Sequence, residues 1–384
     1  MIKSIFAILL GALYCCFAFI IISLSVWLLL NAQTRTGRGI AVTGLLAAAL
    51  PLTSFLWFRL QTRRVFLGRL NLVLFAGLLG ISCAILLTAP SGNPDPDSPI
   101  QHRFSQKIQF NPFTITNIIP EVDQINLGFT VMPYLDPLLT AQQAHQETIP
   151  TFRLYRELES DPNFHELGSA MGWAYADLLR YPANAGHYYL YVPEKETDAP
   201  YPVIIFLHGS AGNFKAYVWL WSKIADELGY AIIAPSYGFG NWGNPGSFDT
   251  VLRALKNAES EVNIDKQRIY LAGLSNGGIG VSRGAVATEI QLKGLIFISP
   301  VMDLQIVDNE AFMERWRERP ILVISGEADE RIPYSYVAQR VSIWEAANLP
   351  VTSIGYAGEN HFLIFNQPEK VLHDISEWLE KTDR

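Results

Sequence analysis

The chain has 384 residues, room for two folded units at roughly 100 to 200 residues each. Hydrophobic residues make up 49% and charged residues 17%, which excludes a disordered chain. The formal net charge of −7 argues against a nucleic-acid partner, which requires a basic face. That charge is unevenly spread. The first 90 residues hold seven basic and no acidic side chains, and the remainder holds 22 basic against 36 acidic, a local net of −14.

Residues 5–30 carry no charge over 26 positions, long enough for a hydrocarbon core that needs about 20 apolar residues. Two further uncharged runs follow, 40–58 and 70–89, the former interrupted by Pro51. Together they predict about three transmembrane helices within a membrane region 1–90, with the lipid bilayer as a partner. A cleavable signal peptide is the rival account of the first run, but a signal core is only about 7 to 15 residues long. The loop between the second and third runs holds Arg59, Arg63, Arg64 and Arg69, whereas the first loop holds Arg35 and Arg38. Cytoplasmic loops keep the excess of positive charge. The expectation is therefore an inner or plasma membrane protein whose residues beyond Ala89 lie on the periplasmic or extracellular side. Were the Pro51 run re-entrant, that side would reverse. Cys15, Cys16 and Cys83 all fall in apolar runs, so the rest of the chain has no thiol to misoxidise outside the cytoplasm.

The polar, Pro-rich stretch 91–99 marks the exit from the membrane. Residues 91–184 form a linker and accessory segment whose fold the pattern does not reveal, apart from a helix-like stretch at 164–180. Beyond 185 the period changes. Strands are predicted at 188–192, 203–207, 231–234, 269–271, 295–299, 321–324 and 351–356, alternating with helices at 217–227, 250–260, 279–290, 334–347 and 369–381. Such alternation predicts an α/β domain over 185–384, a mostly parallel sheet with helices on both faces. No glycine-rich nucleotide-binding loop follows a strand.

The motif GLSNG, 273–277, lies between a predicted strand and a predicted helix. That is the setting of a nucleophilic serine on a sharp turn, with small residues flanking Ser275 where the chain passes close to its neighbours. A serine hydroxyl needs a base, and the base needs an orienting carboxylate. Of the two histidines downstream, His361 follows the last predicted strand and His373 lies within an amphipathic helix, so His361 is the expected base. Asp329, after the strand 321–324, is the expected acid; Glu327, Glu330 and Asp303 are its rivals. Acyl transfer also needs donors for the developing oxyanion. These are expected from the backbone N–H of Asn276 and from that of Ser210 in HGSAG, 208–212, with Ala211 as the alternative. His208 is expected to brace this loop.

Taken in order, HGSAG, GLSNG, GEADERIP (326–333) and GENHF (358–362) resemble the α/β-hydrolase fold family. The core LSNGG preceded by DKQRIYLAG, 265–273, is similar to esterases of the feruloyl-esterase, polyhydroxybutyrate-depolymerase and dienelactone-hydrolase-like groups. The resemblance covers about residues 185–384 and implies a Ser/Asp/His serine hydrolase acting on small-molecule or lipid esters, less often on amides or peptides. It implies no cofactor and no metal. The membrane region and residues 91–184 fall outside the family's pattern. Tyr237, Phe239 and Trp242, in a loop with two glycines, are the expected substrate-pocket residues, and 300–320 is long enough for a small lid. A lipase or acyltransferase, a peptidase and a non-catalytic binding protein are the competing functions.

Overall fold

The computed structural model describes residues 2–60, 63–92, 94–194 and 199–383. The chain divides into two compact units: Met1–Ala89 with Phe113–Val131, and Pro90–Pro112 with Met132–Arg384.

The first unit contains three helices, Ile2–Asn31, Arg35–Arg59 and Arg64–Thr88, each long and apolar enough to cross a membrane. The middle helix runs unbroken through Pro51. Large apolar side chains point outward all along this unit, among them Phe19, Phe66, Leu72 and Leu87. Water would penalise such a surface and hydrocarbon would not. Polar contacts between the helices are sparse: the Tyr14 hydroxyl donates to the Ala48 carbonyl (2.7 Å), and the Thr53 hydroxyl donates to Asn71 Oδ1 (2.6 Å). Buried Asp123 accepts from the Gln33 N–H and the Thr34 hydroxyl, both at 2.6 Å, and so fixes the turn between the first two helices.

The second unit is built on a sheet with eight strands among the described residues. These are β1 (Ile100–Phe104), β2 (His187–Tyr191), β3 (Tyr201–Leu207), β4 (Ala231–Pro235), β5 (Ile264–Leu274), β6 (Gly294–Ile298), β7 (Ile321–Gly326) and β8 (Val351–Tyr356). Their spatial order is β1-β2-β4-β3-β5-β6-β7-β8; β1–β2 and β2–β4 are antiparallel and the other pairs are parallel. Central strands such as β6 and β7 are buried along their whole length, as a sheet covered on both faces requires, whereas the edge strand β8 is largely exposed. The helices Lys215–Leu228, Ser247–Ala258, Gly277–Ala285, Tyr334–Ala346 and Pro368–Thr382 supply the cover. Chain order reverses between β3 and β5, the place where open α/β sheets bind ligands at the carboxyl ends of their strands.

Several elements depart from the sequence pattern. The strand β1 lies in the unassigned segment, where its short polar-apolar run carries no period. The helix expected at 164–180 is two helices, Pro162–Leu167 and Met171–Leu178, separated at Gly168 with φ 74°. The helix expected to reach residue 290 stops at Ala285. Residues 300–320 do not form a free lid: Val307, Phe312 and Trp316 are fully buried, and the Trp344 indole N–H donates to the Val307 carbonyl (3.0 Å).

A chain of buried neutral groups joins β1 to the interior. His102 Nε2 meets the Leu167 carbonyl, which can only accept, so that nitrogen carries the proton. His102 Nδ1 must then accept from His187 Nε2–H (2.7 Å), and His187 Nδ1 from the Ser236 hydroxyl (2.7 Å). Ser236 Oγ in turn accepts from Asn213 Nδ2 (3.1 Å). No site remains for an extra proton. Burial accordingly pushes His102 down to about 3, and burial, with the electrostatic influence of His102 and His208 beside it, holds His187 well below its usual range. In the unfolded chain both bind a proton below about pH 6.5, so the stability they contribute is complete above that value and is lost as pH falls. The full-length protein in detergent should lose up to about 1.4 kcal/mol per pH unit per histidine below about pH 6.5. Urea unfolding of wild type and His102→Phe checks this, with a shallower pH slope expected for the variant.

Candidate active site

Ser275 follows β5 at φ 52°, a left-handed conformation that costs a non-glycine residue about 1–3 kcal/mol. Its N–H donates to the Ile298 carbonyl (2.9 Å), and its carbonyl accepts from Gly278 and Val301 (both 2.9 Å). The next turn runs against β3: a Cβ on Gly277 would stand 2.1 Å from the Leu207 carbonyl oxygen. The obstacle is strand backbone, so no side chain fits there.

Three strand ends converge on this serine. Ser275 Oγ lies 3.0 Å from His361 Nε2, and His361 Nδ1 lies 2.8 Å from Asp329 Oδ2. His361 follows β8 and Asp329 follows β7. The Asp329 carboxylate is fully enclosed; its Oδ1 accepts from the N–H groups of Arg331 (2.9 Å) and Ile332 (2.8 Å), leaving Oδ2 for the imidazole. This geometry puts the proton on Nδ1 and leaves Nε2 to accept from the serine hydroxyl. Asp303, a rival for the acid, is engaged elsewhere: it pairs with Arg283 (3.6 Å) at the N-terminal position of the helix Leu304–Val307. Glu327 and Glu330 are exposed. His373 lies on the exposed face of the last helix beside Glu377 (3.4 Å).

The loop after β3 lies beside the loop after β5: Asn276 Nδ2 donates to Ser210 Oγ (2.6 Å). The Ala211 N–H is committed to the Phe239 carbonyl (3.0 Å), whereas among the described residues neither the Ser210 nor the Asn276 backbone N–H has a partner. His208 is fully buried with both ring nitrogens engaged, Nδ1–H donating to the Gly209 carbonyl (2.7 Å) and Nε2 accepting from the Tyr237 N–H (3.0 Å). Burial pushes it down to about 4, so it serves as a neutral brace.

The aromatic loop braces this site from behind. Trp242 has no exposed surface, its indole N–H donates to the His208 carbonyl (2.8 Å), and the Tyr237 ring stacks on it at 5.2 Å. Tyr237 and Trp242, expected to line a pocket, are instead core residues. Phe239 is half-buried, and its N–H donates to Asp177 (2.8 Å). Among the described residues, no group of three or more His, Cys, Asp or Glu is placed to hold a metal ion.

Sequence reasoning missed Glu147, in the helix Ala141–Leu158. It is 4% exposed, and its Oε1 accepts from Asn360 Nδ2 (2.6 Å), one residue before His361. Burial and the nearby Glu359 push its carboxyl up, against the hydrogen bond from Asn360 and the nearby Asn366 amide.

No family model matches this chain. Over 244 residues it is 25% identical to a dipeptidyl-peptidase 5 of Porphyromonas gingivalis, covering 49% of this chain and 35% of that protein. Over 84 residues it is 33% identical to a bifunctional acetylxylan esterase/xylanase of Neocallimastix patriciarum, covering 20% of this chain and 12% of that one. The chain thus spans about a third and about an eighth of the lengths of these curated relatives. Among solved structures, a ferulic acid esterase is 17% identical with a TM-score of 0.44, covering 51% of this chain and 92% of its own.

Gly277→Ala should lower thermal stability by about 1–3 kcal/mol, the usual cost of forced overpacking, and should displace Ser275. Thermal unfolding and fluorophosphonate uptake measured on the same preparation check both effects. The sheet order, the strained serine after β5, and the acid and histidine after β7 and β8 show that the second unit has the α/β-hydrolase fold.

Proposed function

We propose that this chain is a membrane-anchored serine hydrolase that cleaves carboxylic esters through an acyl-enzyme. The observation that carries this reading is the unbroken hydrogen-bond chain from Ser275 Oγ through His361 to enclosed Asp329. His361 takes the serine proton as Oγ attacks the acyl carbon, and Asp329 holds the imidazolium that forms. Negative charge develops on the carbonyl oxygen and is received by the N–H groups of Asn276 and Ser210. His361 then protonates the leaving alcohol. Water, deprotonated by the same imidazole, attacks the acyl-serine and releases the acid. Half-buried Phe239 is the aromatic side chain we assign to contact with the acyl or alcohol group.

An amide substrate is the second reading, favoured by the 25% identity to a dipeptidyl-peptidase over 244 residues. Comparing kcat/KM for p-nitrophenyl acetate with that for dipeptidyl p-nitroanilides separates the two. The ester reading expects measurable turnover of the acetate by wild type. It further expects a loss of roughly a millionfold in kcat for Ser275→Ala and roughly ten-thousandfold for Asp329→Asn. A Ser275→Ala protein retaining wild-type hydrolysis would refute the reading.

Placement of the hydrolase unit outside the cytoplasm rests on Arg59, Arg63, Arg64 and Arg69, clustered where the second helix ends and the third begins, and is supported by the three helices able to span among the described residues. A membrane-impermeant fluorophosphonate should label spheroplasts whose inner membrane is intact. Labelling only after that membrane is permeabilised would reverse the orientation.

A further inference from the structure

The helix Ala141–Leu158 and the turn before it touch both loops that carry the acid and the base. Gln143 and Glu147, one helical turn apart, share a face. Gln143 Nε2 donates to Glu330 Oε2 (3.3 Å), beside Asp329, and Glu147 accepts from Asn360 (2.6 Å), beside His361. Ahead of the helix, the Asp136 carboxylate stands 2.6 Å from Arg331 Nη2, an ion pair without hydrogen-bond alignment. The Arg331 guanidinium in turn lies 5.8 Å over the ring of Phe362, on the far side of His361.

Asn360 is the pivot of this arrangement. Its Oδ1 accepts from the Phe362 N–H (2.8 Å), so its side chain closes a turn around the His361 backbone, and its Nδ2 is held by Glu147. The Glu147 carboxyl is costly to bury, and its second oxygen has no partner among the described residues. An apolar residue would pack the helix at lower cost, so packing alone does not account for a carboxyl at this position.

We propose that Glu147 is a positioning residue for catalysis: through Asn360 it fixes the loop that aims His361 at Ser275 and Asp329, which makes the helix Ala141–Leu158 part of the catalytic apparatus. The proposal rests on the assignment of Ser275, His361 and Asp329 as the reacting groups. The base must hold contacts of 3.0 Å and 2.8 Å at once, so a small shift of its loop loses one of them.

The test uses the full-length protein in detergent, with p-nitrophenyl acetate as substrate and a thermal midpoint recorded for each variant. Asn360→Ala and Glu147→Ala are each expected to lose about 10- to 100-fold in kcat, the scale of a misplacement near 1 Å, with KM within about twofold. Glu147→Gln, whose carbonyl oxygen still accepts from Asn360, should stay within about threefold of wild type, and the Asn360→Ala/Glu147→Ala double variant should be no slower than either single one. Asn360→Ala leaves the helix untouched and decides the matter if Glu147→Ala does not fold. A lowered thermal midpoint with unchanged kcat in Asn360→Ala, or Glu147→Gln as slow as Glu147→Ala, would overturn the proposal. Lost turnover in Ser275→Ala beside wild-type turnover in Asn360→Ala would overturn the positioning role alone; turnover surviving in Ser275→Ala would overturn the assignment beneath it as well.

Discussion

The left-handed backbone of Ser275 is the constraint on which the rest of the hydrolase unit depends. A serine at φ 52° relaxes unless its neighbours prevent it, and here they do so from two sides. The carbonyl of Ile298, at the end of β6, takes the serine N–H, and the helix that follows is pressed so closely onto β3 that Gly277 cannot carry a Cβ. This arrangement sets Asn276 beside the loop after β3, where its side-chain amide donates to Ser210 Oγ (2.6 Å). The central strands that hold that turn are buried throughout, covered by helices on both faces of the sheet.

The partners of the serine arrive on strands farther along the sheet, and their loops are joined to each other before they reach it. The Ala328 N–H donates to the Glu359 carbonyl (2.9 Å) and the Glu327 N–H to the Tyr356 carbonyl (3.0 Å). A Cβ on Gly326 would stand 2.3 Å from the Glu359 carbonyl oxygen, so the Asp329 loop can lie against the His361 loop only with glycine there. Residues far upstream complete the unit. The strand β1 pairs with β2, its His102 begins the neutral chain that ends at Asn213 beside the HGSAG loop, and the helix Ala141–Leu158 holds Asn360. The α/β-hydrolase unit therefore draws on residues well before position 185.

Where local pattern carries the information, the sequence is legible. The apolar runs anticipated three helices able to span a membrane, and the alternation beyond 185 anticipated the parallel strands to within a few residues. Ser275, Asp329 and His361 could be singled out as candidates because each sits in a short loop after a strand, where chain order alone dictates which edge of the sheet it reaches. Glu147 offered no such signal: it is a glutamate in an amphipathic helix, and only the fold reveals that its face is covered. His102 and His187 were equally silent, since a buried neutral histidine and a solvated one look alike in sequence. The aromatic loop misled for a physical reason. Glycines near aromatics do mark a loop, but here Tyr237 and Trp242 turn inward to stack on each other and to hold His208, and of the three aromatics only Phe239 is half-buried rather than buried.

The central claim is that Ser275 is the activated nucleophile. Peptide mapping by mass spectrometry of the full-length protein after incubation with a fluorophosphonate tests it most directly. The account predicts a single stoichiometric adduct on Ser275, abolished in His361→Ala. An adduct on another residue, or none on a folded protein, would contradict it.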